Sequence, residues 1–177
     1  MYKADSKKNW RVFITLYLAL MYLTSGVAPG ICNRLNRILW GNGVYAIYFA
    51  GVVLVLLTLV YLFFMKRERS VKKYILFFVF VFIIALLDLF AVYPAEKIHL
   101  VEFGLLAVAV YKALEPDHDK YGFTLYAKGT AICFAAAFVD EIIQYAVPGR
   151  FFDLRDIAVC VCMSVTVFLI IRFIFLK

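Results

Sequence analysis

Lys73-Tyr74-Ile75-Leu76-Phe77-Phe78-Val79-Phe80-Val81-Phe82-Ile83-Ile84-Ala85-Leu86-Leu87 carries no charge after its first residue, and the run continues to Pro94 with Asp88 as its single acid. As a helix, residues 73–94 extend about 33 Å, enough to cross the roughly 30 Å hydrocarbon core of a bilayer. A helix that is apolar on every side has no face to give to water, so it belongs in lipid or inside a large core. Composition chooses between these. The 177-residue chain is 66% hydrophobic with a mean hydropathy of +0.90, well above the roughly 45–50% apolar content of a soluble domain.

Working outward, five further apolar stretches meet the length requirement: 11–27, 44–65, 97–114, 124–147 and 156–176. Breakers and charges separate them at Pro29-Gly30, Gly41-Asn42-Gly43, Lys66-Arg67-Glu68-Arg69, Glu115-Pro116-Asp117 and Pro148-Gly149. The fourth stretch, 97–114, is short and the most densely charged, with Lys97, Glu102 and Lys112 beside His99. The sequence predicts an all-α polytopic transmembrane helical bundle of about six spans, with residues 1–177 as a single integral membrane domain. The first run follows a basic segment, as in a signal peptide. It ends at Ser25-Gly26-Val27-Ala28-Pro29 without a small-x-small cleavage pattern and is expected to stay as a helix.

Lys and Arg in short loops favour the cytoplasm. With both termini cytoplasmic, that side holds fourteen of the nineteen cations and only five of the twelve acids. The other side and its helix halves hold an excess of acid. This asymmetry sets the expected orientation. It also accounts for the net charge of +7 through topology and anionic headgroups, so no nucleic-acid partner is expected. Cys32, Cys133, Cys160 and Cys162 make no framework. Cys160 and Cys162, two apart on a helix, point in nearly opposite directions, and all four are expected as filler on lipid-facing helices.

Two polar clusters fall on the outer side. Glu96, His99 and Glu102, with Lys97 beside them, recur every three residues at the start of the fourth stretch, a spacing that keeps them on one helical face. Asp140, Glu141 and Gln144 end the fifth, followed by Arg150, Asp153, Arg155 and Asp156. Ionisable groups at membrane depth cost several kcal/mol unless they pair, face a wet cavity or coordinate something. One reading is an ion-pair lattice in which Lys97, Arg150 and Arg155 pin the fourth and fifth helices together. The other is an outer-facing polar pocket, because acids outnumber bases and His99 adds a group that titrates near neutral pH.

Two chemistries fit the pocket. His99, Glu102, Asp140 and Glu141 are suitable catalytic groups and candidate ligands for a divalent metal that activates water, as in a metal-dependent intramembrane hydrolase acting on a lipid headgroup. Their spacing matches no H-E-x-x-H pattern. Alternatively, these residues act as acid, base or clamp while Glu96, Lys97, Gln144, Arg150, Asp153, Arg155 and Asp156 bind a headgroup, with the arginines taking phosphate or carboxylate. A membrane lipid or a lipoglycopeptide suits the location. Asp88 either lines the same pocket or reaches the interface. Arg34 and Arg37, with Leu35, Ile38, Leu39 and Trp40, read as a short interfacial helix, and His118 as a solvated turn. Gly-rich phosphate loops and Gly-x-Ser-x-Gly elbows are absent from the sequence, which gives no support to ATP-driven or serine-esterase chemistry.

At Glu96-Lys97-Ile98-His99, at Asp140-Glu141-Ile142-Ile143-Gln144, and at Pro148-x-Arg150-x-x-Asp153-x-x-Asp156, the chain resembles the VanZ-like family over about residues 94–165. These are small bacterial membrane proteins whose namesake is associated with teicoplanin resistance. The family pattern continues with an Asn and a Gly-containing stretch where this chain has Cys160 and Met163. The resemblance implies a multi-pass protein of the bacterial cell membrane linked to the envelope or to glycopeptide response, without implying a reaction.

Overall fold

The computed structural model describes residues 2–25, 30, 34, 37, 38, 43–91, 94–117, 119, 122–148 and 150–176. Its described residues form helices and no strand. In chain order they are α1 (Tyr2–Ser25), α2 (Gly43–Val60, continued by a π-helical turn Tyr61–Met65), α3 (Val71–Phe90), α4 (Pro94–Leu114), α5 (Phe123–Tyr145) and α6 (Leu154–Ile170, continued by a π-helical turn Ile171–Phe175). Each expected stretch coincides with one helix. The largest boundary differences are that α1 starts near residue 2, inside the basic segment, that α3 stops at Phe90 rather than at Pro94, and that α4 starts at Pro94 rather than at 97. The expected interfacial segment around Arg34 to Trp40 lies largely outside the described residues, as do Cys32 and His118.

Val71–Phe90, Phe123–Tyr145 and Leu154–Phe175 are long and apolar enough to cross a membrane, and Phe49–Met65 is a shorter apolar helix. An open row of large apolar side chains, including Phe49, Leu54, Phe64, Phe82 and Leu89, covers the outside of α2 and α3. Exposed apolar surface on that scale marks contact with lipid. This is a membrane protein. Helices satisfy their backbone internally, which lipid demands, and hydroxyls follow suit: Thr15 Oγ1 donates to Arg11 O at 3.0 Å and Thr58 Oγ1 to Leu54 O at 2.8 Å.

The polar fourth helix is at the centre. α4 packs against α1, α5 and α6, and α6 also packs against α3. Phe103, Leu106, Ala107 and Val110, at helical spacing along α4, are fully buried against Met21, Leu125, Cys133, Ala137 and Phe168. Gly129 on α5 permits the closest approach, since a Cβ there would meet Phe168 Cζ at 2.7 Å. A second core joins Leu62, Phe77, Phe80 and Ile174 where α2 and α6 end and α3 begins. There the Lys66 ammonium donates to the carbonyls of Ile174 and Phe175 at 2.8 and 2.7 Å, capping the end of α6. Arg67, at φ +50°, turns the chain out of α2, and the Glu68 amide closes back on Leu62 O at 2.9 Å.

Cys160 and Cys162 do face opposite ways, one buried and one exposed. Cys133 and Cys160 are not lipid-facing filler, however. Both are buried in the bundle core.

Candidate functional site

At one end of the bundle, the start of α4, the end of α5 and the start of α6 bring the predicted site residues together. His99 is 8% exposed, Asp140 3%, Glu141 4% and Gln144 2%. Gln144 organises the centre. Its amide nitrogen donates to Asp140 Oδ2 at 2.7 Å, across one helical turn, and faces His99 Nε2 at 3.3 Å. With that amide as donor, His99 Nε2 must accept, so the proton of the neutral ring lies on Nδ1. Nδ1 is 3.0 Å from Glu102 Oε2 and 3.6 Å from Asp140 Oδ2. Neither contact has the directionality of a hydrogen bond.

Glu141 does something else. Its Oε1 accepts the backbone N–H of Asp153 at 2.7 Å, and Asp153 in turn caps α6 by accepting from the Arg155 amide at 2.8 Å. A carboxylate at a helix N-terminus is favoured by the orphan amides and the dipole. Adjacent in sequence, Asp140 and Glu141 thus serve two networks. One meets His99; the other fixes where α6 begins.

Arg155 ties the third group. Its Nη2 lies 3.0 Å from Glu96 Oε1, 3.2 Å from Asp153 Oδ2 and 3.5 Å from Asp156 Oδ1. The lattice reading is realised here, but between α4 and α6 instead of between α4 and α5. Lys97 reaches the other way. The Lys97 ammonium reaches Asp88 Oδ2 at 2.9 Å and Asp88 O at 3.1 Å, which places Asp88 in an α3–α4 clamp rather than in the His99 cluster. Arg150 forms no side-chain ion pair among the described residues, although its charge is near Asp140 and Glu141. Tyr17, absent from the expected site, donates from α1 to the Glu102 carbonyl at 3.0 Å. Its only signal is a polar tip in an apolar run.

Among the described residues, four buried polar atoms at this end have no hydrogen-bond partner: His99 Nδ1, Asp140 Oδ1, Gln144 Oε1 and Arg155 Nε. Each costs about 1–3 kcal/mol when left so. The cluster is otherwise closed. A cleft beside it, lined by Phe90, Glu96, His99, Asp156 and Cys160, has about 10 Å³, room for about one water molecule.

The four metal candidates do not form a coordination shell. His99, Glu102 and Asp140 gather, but Glu141 is committed to the Asp153 amide. Among the described residues, no group of three or more His, Cys, Asp or Glu side chains is arranged to hold a metal ion. The arrangement suits hydrogen bonding and charge recognition. No protein-family model, curated protein or solved structure matches the chain.

Proposed function

We propose that this chain is a six-span protein of the bacterial cell membrane with both termini in the cytoplasm. Its acidic end faces outward and engages the polar headgroup of a membrane lipid or a lipoglycopeptide, and through this it lowers susceptibility to glycopeptides such as teicoplanin, as the VanZ-like resemblance implies. The observation that carries the reading is the set of unpaired polar atoms on His99, Asp140, Gln144 and Arg155, drawn from three helices. Structural networks satisfy their members; this one leaves acceptors and donors over. Orientation is supported by the opposite end of the bundle, where Arg11, Lys66, Lys112 and Arg172 collect as cytoplasmic cations do.

Asp153 and Arg155 are the accessible rim, with side chains 43% and 38% exposed. The test expresses wild type, Arg155→Ala and His99→Ala in a sensitive host and measures teicoplanin and vancomycin inhibition beside membrane abundance. Wild type is expected to protect against teicoplanin, and both variants to lose protection at unchanged abundance. Equal protection by all three would sink the headgroup site. The contacts of Arg155 also favour a second reading, a helix clamp without a ligand. In that case protection and abundance fall together.

A further inference from the structure

The opposite end of the bundle contains a groove that the headgroup reading does not use. Tyr17 and Tyr22 fasten α1 to the rest, the first through the Glu102 carbonyl at 3.0 Å and the second through the Ala136 carbonyl at 3.2 Å. Beyond these ties, towards Arg11, α1, α4 and α5 part around a space of about 290 Å³. That is close to the lower bound of about 300 Å³ for small-molecule pockets and far larger than the cleft beside His99. Its floor is apolar: Ile14 from α1, Val110, Ala113 and Leu114 from α4, and Ile132 from α5. Thr15 adds a methyl wall, because its hydroxyl is spent on the Arg11 carbonyl.

The mouth is cationic. Arg11 lines it directly. On the facing helix, Lys128 is exposed one turn from Ile132, on the same face and nearer the same end of the bundle. Both helices therefore place a cation one turn outside the apolar floor. A zwitterionic headgroup gains little from such a pair, whereas a net negative phosphate gains from each charge.

We infer that the groove between α1, α4 and α5 binds an anionic phospholipid of the surrounding bilayer, one acyl chain lying on Ile14, Val110 and Ile132 and the phosphate held by Arg11 and Lys128. The inference goes beyond the headgroup reading at the acidic end and does not depend on which end faces outward.

Trp10, adjacent to Arg11 in sequence and edge-on to Phe13 with centroids 5.7 Å apart, is a built-in reporter. The experiment uses the full chain with Trp40→Phe in symmetric phosphatidylcholine nanodiscs, so orientation does not enter. Trp10 fluorescence is titrated with chain-brominated phosphatidylglycerol or chain-brominated phosphatidylcholine. Half-quenching is expected at a lower mole fraction of the glycerol lipid. Arg11→Gln should raise that fraction about fivefold, the effect of one cation at a membrane surface, and leave the choline lipid unchanged. Thr15→Phe, which fills the groove, should weaken quenching by both. Equal half-quenching by the two lipids in the wild type would overturn the inference. So would an unchanged preference in helical Arg11→Gln and Lys128→Gln proteins, or quenching by neither lipid with cross-linked dimers in its place. Loss of antibiotic protection in the acidic-end variants would leave these results untouched.

Discussion

The two ends of the bundle are held by different forces. At the acidic end, helices meet through Gln144, Asp140, His99, Glu141 and Arg155, side chains whose hydrogen bonds and charges face one another inside the protein. At the basic end the polar contacts lie at the margin, where Lys66 caps α6 and Lys73 pairs with Glu68, and other cations lie on rings. Arg172 sits over Tyr126 at 5.3 Å, and the interior is built from Tyr126, Phe168 and Gly129 in close contact. Polar contacts need a particular partner at a particular distance, while packing needs shape alone. The acidic end should therefore be intolerant of lost partners, and the basic end of added volume.

Gln144→Ala is the strongest way to break that contrast. It removes the amide that serves both Asp140 and His99 and leaves two buried ionisable groups facing each other. A loss of about 3 kcal/mol is expected in detergent unfolding. A cost below about 1 kcal/mol would show that the polar network is not what holds this end.

Gly129→Ala probes the other end by inserting a Cβ 2.7 Å from the Phe168 ring edge. Overpacking costs about 1–3 kcal/mol, less the roughly 1 kcal/mol by which Ala improves on Gly in a helix, so a net loss of up to about 2 kcal/mol is expected. Adding Phe168→Leu should relieve the Gly129→Ala strain in a double-mutant cycle. Strict additivity would mean the contact is not strained.

The smallest effect is at the loop joining α2 to α3. The Lys73 ammonium at 2.7 Å and the Ser70 amide at 3.1 Å hold Glu68 below its ordinary value of 4.5. A carboxyl whose folded pKa is lowered stabilises the fold above its unfolded pKa, and that contribution is lost as pH falls through the folded value. Acidification below about 4.5 should thus cost the wild type more than Glu68→Gln, by a small margin because the pair is only partly buried and solvent screens it. Parallel acid profiles in thermal melts would remove Glu68 from the account.

Much of this was legible in the residues. The run from Tyr74 to Leu87 announces a lipid-facing helix, and the spacing of Glu96, His99 and Glu102 places them on one face. The block from Asp140 to Asp156 announces that several polar groups share one end. What could not be read is who partners whom. Lys97 was expected to neutralise nearby acids of the site and instead reaches back to Asp88. Glu141, expected beside Asp140 in one cluster, caps the next helix.

The physical reason lies in lipid itself. In water, a hydrophobic stripe tells which face of a helix turns inward, because the other face must be polar. α2 and α3 are apolar all round, and their sequences carry no such mark; α4, whose run is broken by Lys97, His99, Glu102 and Lys112, proves to be the one enclosed by its neighbours. Sequence alone determined the helices, their apolar character and which charges lie at which end. Tertiary structure decided the rotation of each helix about its axis, and with it every long-range pair, because a turn of α4 by one residue would exchange His99 for a neighbour that Gln144 does not recognise.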